Sequence, residues 1–237
     1  MDPRYKPPDA PLVEAPVIAG FRDIEQWTKV LTWMLMIGAG LAVVSAISSA
    51  MQLELLSRSY DTNEAAANDK REALLGGATV LLTLGTMVVF GRWIVLAHRN
   101  LEPLGVHFLD FTPGWAVGWF FIPIANLWKP YQAMRFLWRG SHDSQDPASV
   151  NSTWLLPTWW TFWIISSLLG NFTLRFSMRA QTVPELQILT VVSLINCIID
   201  IGLFLIAALM VRRIWKAQLE QALHPVPART GFADAPP

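Results

Sequence analysis

The chain is short of charge and almost without cysteine. Only 15% of its 237 residues are Asp, Glu, Lys or Arg, against about 25% in an ordinary soluble domain. Lipid rather than water is the expected solvent. The single cysteine, Cys197, excludes an intrachain disulfide, and nothing points to an oxidising compartment. The four histidines, His98, His107, His142 and His224, show no ligand spacing, so neither a metal nor a cofactor is expected. The sequence also lacks a phosphate-binding glycine loop, HExxH, GxSxG and CxxC. Only one carboxylate lies deep in an apolar segment, which leaves no pair for acid–base catalysis. The basic residues are dispersed, which argues against nucleic-acid recognition. The expectation is a non-enzymatic protein.

What is present is apolar surface and tryptophan. Hydrophobic residues make up 53% of the chain, and there are 12 tryptophans, a residue that collects at membrane–water boundaries. Four runs reach the roughly 20 residues needed to cross a bilayer core: about 27–51, 74–97, 154–174 and 186–211. The expected fold is all-α, an integral membrane four-helix bundle occupying residues 25–220. Proline-rich residues 1–24 and residues 221–237 read as disordered tails. Residues 52–73 read as a polar, mildly acidic connection.

Lysine and arginine bias sets the expected orientation. With both termini and the 99–150 connection cytoplasmic, Arg4, Lys6, Arg22, Lys29, Arg92, Arg99, Lys129, Arg135, Arg139, Arg212, Arg213, Lys216 and Arg229 fall inside. Arg58, Lys70, Arg71, Arg175 and Arg179 fall outside.

The segment Phe111–Arg135 is nearly as greasy as a span, yet Pro113, Pro123 and Pro130 interrupt it and Gly114 and Gly118 weaken it. A single straight crossing is a poor reading, so residues 111–139 are expected to enter and leave on the cytoplasmic side as an interfacial or re-entrant helical element. Trp115 and Trp119 stand one turn apart, and Gly114 and Gly118 form a small-xxx-small pair suited to close helix approach. Pro130 opens a second, amphipathic helix with Gln132, Arg135 and Arg139 on one stripe. Basic and aromatic residues on one short helix suit an anionic leaflet.

The run RWIVLAHRNLEPLG (Arg92–Gly105), followed by FTPGWAVGWFFIPIANLWKPYQAM (Phe111–Met134), resembles a bacterial family of four-span membrane proteins described only as a domain of unknown function. The similarity runs from about Trp27 to Leu219. It implies a multi-pass protein of the bacterial cytoplasmic (inner) membrane and supplies no catalytic residue, substrate or partner.

Two candidate sites follow from the residues. Asp200 is the acidic residue deep in a span, with Asn196 one turn before it. Such a group is costly in lipid and seeks a partner, for which Arg92 is the expected choice. The second is a lipid or ligand contact built from His98, Arg99, Asn126, Lys129, Gln132 and Arg135, since arginine suits bidentate phosphate recognition. Three functions compete. The first is a bundle that binds a membrane-protein partner or itself as a homo-oligomer and organises the membrane. The second is a small oligomeric transporter or channel with Asp200, Asn196, Asn126 and Lys129 along its path. The third is a protein that binds anionic lipid headgroups.

Overall fold

The structure, a computed structural model, describes residues 18–106, 110–151 and 153–224, and among these it is helical with no strand. The elements are α1 (Glu25–Leu56), α2 (Thr62–Arg99), α3 (Pro113–Gly118), two 3₁₀ turns (Trp119–Phe121 and Ala125–Leu127), α4 (Lys129–His142), α5 (Leu155–Ser177) and α6 (Val183–Leu223). Local sequence explains the starts. Asp61 caps α2 and Thr182 caps α6, each in a reciprocal box with a glutamate three residues on, Glu64 and Glu185. Pro113, Pro130 and Pro184 occupy first turns, where a missing N–H costs nothing.

Three helices, α1, α2 and α6, are long and apolar enough to cross a membrane. They have 32, 38 and 41 residues, against about 20 for a crossing, so each projects beyond it. The fourth expected span, α5, has 23 residues. Thr158, Trp159, Trp160, Ser166, Ser167 and Asn171 dilute its apolar character, which explains why it is not among the three. The polar connection expected over residues 52–73 shrinks to five residues, 57–61, because both flanking helices continue through it. Some residues expected in the tails belong to the folded body. Arg22 bonds Asn100, Ile24 is only 1% exposed, and α6 continues to Leu223. Residues 1–17 and 225–237, with Arg4, Lys6 and Arg229, lie outside the described residues.

The long helices stand side by side in the order α2–α1–α6–α5. Thr28 meets Trp93, Ser48 meets Arg71 and Glu72, and Gln187 reaches the Leu56 carbonyl, which fixes an antiparallel register. The start of α1, the end of α2, the start of α5 and the end of α6 therefore share one end, called basal here. The hydrophobic core sits at that end: Ile24, Leu31, Trp93, Ile94, Met134, Leu137, Leu156, Trp159, Met210 and Ile214 are all fully buried. The far halves are bare by comparison. Leu81 on α2 is 74% exposed and Leu168 on α5 is 65% exposed, as lipid-facing helices are.

At the basal end α3 and the first 3₁₀ turn form a wedge between α2 and α5. Phe120 meets Phe90 of α2 and Trp163 of α5 edge-on, and Val117 lies against Gly91. The wedge reaches about 13 Å along α2 from Arg99, at 1.5 Å per residue. Gly91 of α2 permits this approach: a Cβ there would stand 3.3 Å from Val117. The expected small-xxx-small pair plays no such part. Gly114 faces open space, and a Cβ on Gly118 would meet only its own neighbour Trp115. The chain then turns at Pro123–Ile124–Ala125, a γ-turn closed by the Ala125 N–H donating to the Pro123 carbonyl at 2.8 Å, with Ile124 at φ 69°. That form of γ-turn is rare and strained, above all for a β-branched residue. It reverses the chain into α4, so residues 111–139 enter and leave at the basal end.

Candidate functional site

Helix α4 divides its faces sharply. Pro130, Ala133, Met134, Leu137, Trp138 and Ser141, spaced at i, i+3, i+4, i+7, i+8 and i+11, are buried against the basal core. The opposite face carries Lys129, Gln132, Arg135, Phe136 and Arg139. Together with Asp110, Phe111, Thr112, Trp115 and Trp119 they enclose a cleft of about 610 Å³. Three cations face one carboxylate, so the cleft carries an excess of positive charge. The Lys129 ammonium lies 5.8 Å from the Phe111 ring and 5.6 Å from the Trp119 ring, a cation–π placement against two of the aromatic walls. Trp115 and Trp119 pack on each other with centroids 5.1 Å apart. The Arg139 Nε is buried without a partner among the described residues. An anionic group of phosphate or carboxylate type, with apolar atoms beside it, fits this lining.

The expected contact set is thus brought together only in part. Lys129, Gln132 and Arg135 share the cleft. Arg99 is exposed at the end of α2 and outside the lining, and Asn126 sits in the second 3₁₀ turn, also outside it. His98 contradicts its expected role. It is fully buried, its Nδ1 donates to the Ile94 carbonyl at 2.9 Å, and its Nε2, unpartnered, faces the Ala133 backbone of α4. A side chain enclosed between α2 and α4 cannot reach a lipid headgroup.

Beneath the cleft lies a polar network that the sequence did not announce. The Gln218 amide of α6 donates to the Ala97 carbonyl at 2.9 Å and to the Ser141 hydroxyl at 3.0 Å. Its oxygen accepts from Asn100 at 3.2 Å. Asn100 also donates to the Arg22 carbonyl and accepts from the Arg22 N–H, while Gln221 bonds the Gly140 and Ser141 carbonyls. The network joins the chain before α1 to α2, α4 and α6. It also satisfies helix-end carbonyls that would otherwise be orphaned in the core.

The intramembrane site differs from expectation too. Asp200 accepts from the Ser166 hydroxyl of α5 at 2.5 Å and from the Asn196 amide at 3.1 Å. Arg92 is turned away, stacked over Trp27 of α1 at 5.9 Å. The expected ion pair is therefore not formed. Ion pairs among the described residues link Lys29 to Glu25, Arg58 to Glu64 and Arg71 to Glu72. The reason is helix order: α1 stands between α2 and α6, so a side chain of α2 at this depth faces α1.

The family described as domain of unknown function (DUF4328) matches residues 57–216, a stretch that contains the cleft, the wedge and Asp200. No curated protein matches the chain, and no solved structure does.

Proposed function

The chain belongs to that family, the domain of unknown function DUF4328, and from this premise we propose that it is a non-enzymatic membrane protein that binds anionic lipid headgroups in its basal cleft. The observation that carries the reading is the cleft lining, with Lys129, Arg135 and Arg139 set against Asp110 and walled by Phe111, Trp115, Trp119 and Phe136. Cations at headgroup depth attract anionic lipid by about 1 kcal/mol each, and tryptophans are at home there. Binding headgroups in this way is how the bundle organises its leaflet.

The same reading takes α5 as the fourth crossing and the basal end as cytoplasmic, in a bacterial inner membrane. Its support is the charge distribution. Arg22, Lys29, Arg92, Arg99, Lys129, Arg135, Arg139, Arg212, Arg213 and Lys216 lie on the basal side, against Arg58, Lys70, Arg71, Arg175 and Arg179 on the far side.

The test is native mass spectrometry of the protein in detergent micelles, titrated in parallel with phosphatidylglycerol and phosphatidylcholine. Phosphatidylglycerol should bind more tightly. The Lys129→Ala/Arg135→Ala double variant should weaken it about 10- to 30-fold, the equivalent of about 2 kcal/mol for two cations. Equal binding of both lipids, or an unchanged double variant, would sink the reading.

A further inference from the structure

We propose that Asp200, Ser166 and Asn196 form a proton-binding site in the middle of the membrane-spanning region, supplied from the far end of the molecule. Asp200 lies 12 residues before Arg212, about 18 Å along α6 at 1.5 Å per residue, near the middle of a hydrocarbon core about 30 Å thick. Its hydrogen-bond partners, the Ser166 hydroxyl and the Asn196 amide, are neutral, so a carboxylate here would carry an uncompensated charge at bilayer depth.

Among the described residues no cation answers it. Residues 38–53 of α1, 73–91 of α2 and 155–174 of α5 contain no titratable side chain, and residues 186–211 of α6 contain only Cys197 besides Asp200. The next groups, Arg71 and Glu72 of α2, lie toward the far end. Arg71 is already held by the Ser48 hydroxyl and carbonyl and by Asn68, and Glu72 by the Ser48 hydroxyl. A divalent metal ion would need about six oxygen ligands, whereas this cluster offers three polar side chains. A proton needs one carboxyl oxygen and one acceptor. With the proton on Asp200, the new O–H donates to the Ser166 oxygen, the serine hydrogen turns away, and one unit of charge is neutralised. Release reverses both changes.

The supply side follows from an asymmetry in packing. Basal of Asp200 the helices are sealed: a Cβ on Gly202 would overlap the Phe162 ring, and one on Gly38 would press on Phe204 at 3.2 Å. On the far side two buried oxygens have no partner among the described residues, Asn196 Oδ1 one turn away and Thr173 Oγ1 two turns beyond Ser166 on α5. Unpartnered buried oxygens of this kind are where water enters. They mark a hydrated path that stops at Asp200.

Dicyclohexylcarbodiimide, which adds to protonated carboxyl groups, tests the site on purified protein in micelles, with the adduct located by peptide mass spectrometry. The adduct should form on Asp200 in mildly acidic buffer and fade as pH rises. Sodium chloride should leave it unchanged, Asp200→Glu should retain it, and Asp200→Asn should abolish it. The infrared carbonyl band of a protonated carboxyl should disappear in the same Asn variant. Asn196→Leu combined with Thr173→Val should slow reaction with a water-soluble carbodiimide several-fold. Absence of both adduct and band overturns the site. Protection by sodium chloride at fixed pH assigns it to a metal cation instead and also overturns it. A Leu/Val double variant that reacts at the wild-type rate overturns the far-end supply.

Discussion

Replacing Gln218 by alanine removes the hub of the basal network. Three hydrogen bonds disappear, to the Ala97 carbonyl at 2.9 Å, to Ser141 at 3.0 Å and from Asn100 at 3.2 Å. Each contributes about 1 kcal/mol net, and buried partners left unsatisfied add to the loss. Asn100 keeps its bond to the Arg22 carbonyl, so part of the network survives. Water entering the vacated polar space recovers part of the rest. The expected cost is about 3 kcal/mol, a large share of the roughly 5–15 kcal/mol that holds a domain together. For a chain of this length that lowers the unfolding midpoint by about 6–12 °C. Intrinsic tryptophan fluorescence during a thermal ramp in detergent micelles reads it directly, since Trp93, Trp138 and Trp159 are buried in the same core. Gln218→Glu sharpens the test. It keeps the shape and the acceptor but loses the donor, and it turns a carboxylate toward the Ala97 carbonyl, so it should destabilise at least as much as alanine. A Gln218→Ala protein within about 0.5 kcal/mol of wild type, the range of an ordinary surface substitution, would refute the claim that this network organises the basal end.

Other expectations are as concrete. Gly202→Ala should destabilise by about 1–3 kcal/mol, the usual cost of overpacking, because its Cβ meets the Phe162 ring; adding Phe162→Leu should restore most of the loss in the same thermal assay. Ile124→Gly should raise the midpoint. It relieves about 1–3 kcal/mol of strain at φ 69° against about 0.5–1 kcal/mol of glycine entropy. Glu64 is held below its ordinary value of 4.5 by the Arg58 guanidinium and by the Asp61 N–H of the capping box. Its contribution is therefore fully present above pH 4.5 and is lost as pH falls through the lowered value. The stability difference between wild type and Glu64→Gln, measured by thermal unfolding across a pH series, should shrink to nothing over that acidic window.

Much of the architecture was legible because it rests on local pattern. The prolines of residues 111–139 forecast a broken element, and the structure bends at Pro123 and restarts a helix at Pro130. The α4 stripe forecast Gln132 and Arg135 on one face, and both line the cleft. The partners of Asp200 were not legible. Pairing Arg92 with Asp200 ignored which helices are neighbours, and that order is set by packing summed over whole helices. The basal network was hidden for a similar reason. Asn100 and Gln218 are 118 residues apart, and Asn100 and Arg22 are 78 apart, so no spacing rule connects them. Asn100 and Gln218 are ordinary amides in their own segments, and Arg22 takes part only through its backbone. His98 misled because it stands beside Arg99 at the end of an apolar run, while α4 folds over it and encloses it.

The concentration of the core at the basal end has a mechanical consequence. Four helices packed around a hydrophobic core at one end, and joined at the other mainly by polar contacts such as Ser48 with Arg71 and Gln187 with the Leu56 carbonyl, are stiff at the base and more compliant toward the tips. A change in bilayer thickness is then absorbed by tilt and splay of the far halves. The cleft keeps its dimensions because the fully packed base resists deformation. Amide exchange should follow the same gradient, slow around Trp93 and Met134 and faster toward Leu81 and Leu168. The protein reads as a rigid foot carrying more compliant legs, its packed end keeping its shape while the membrane around it changes thickness.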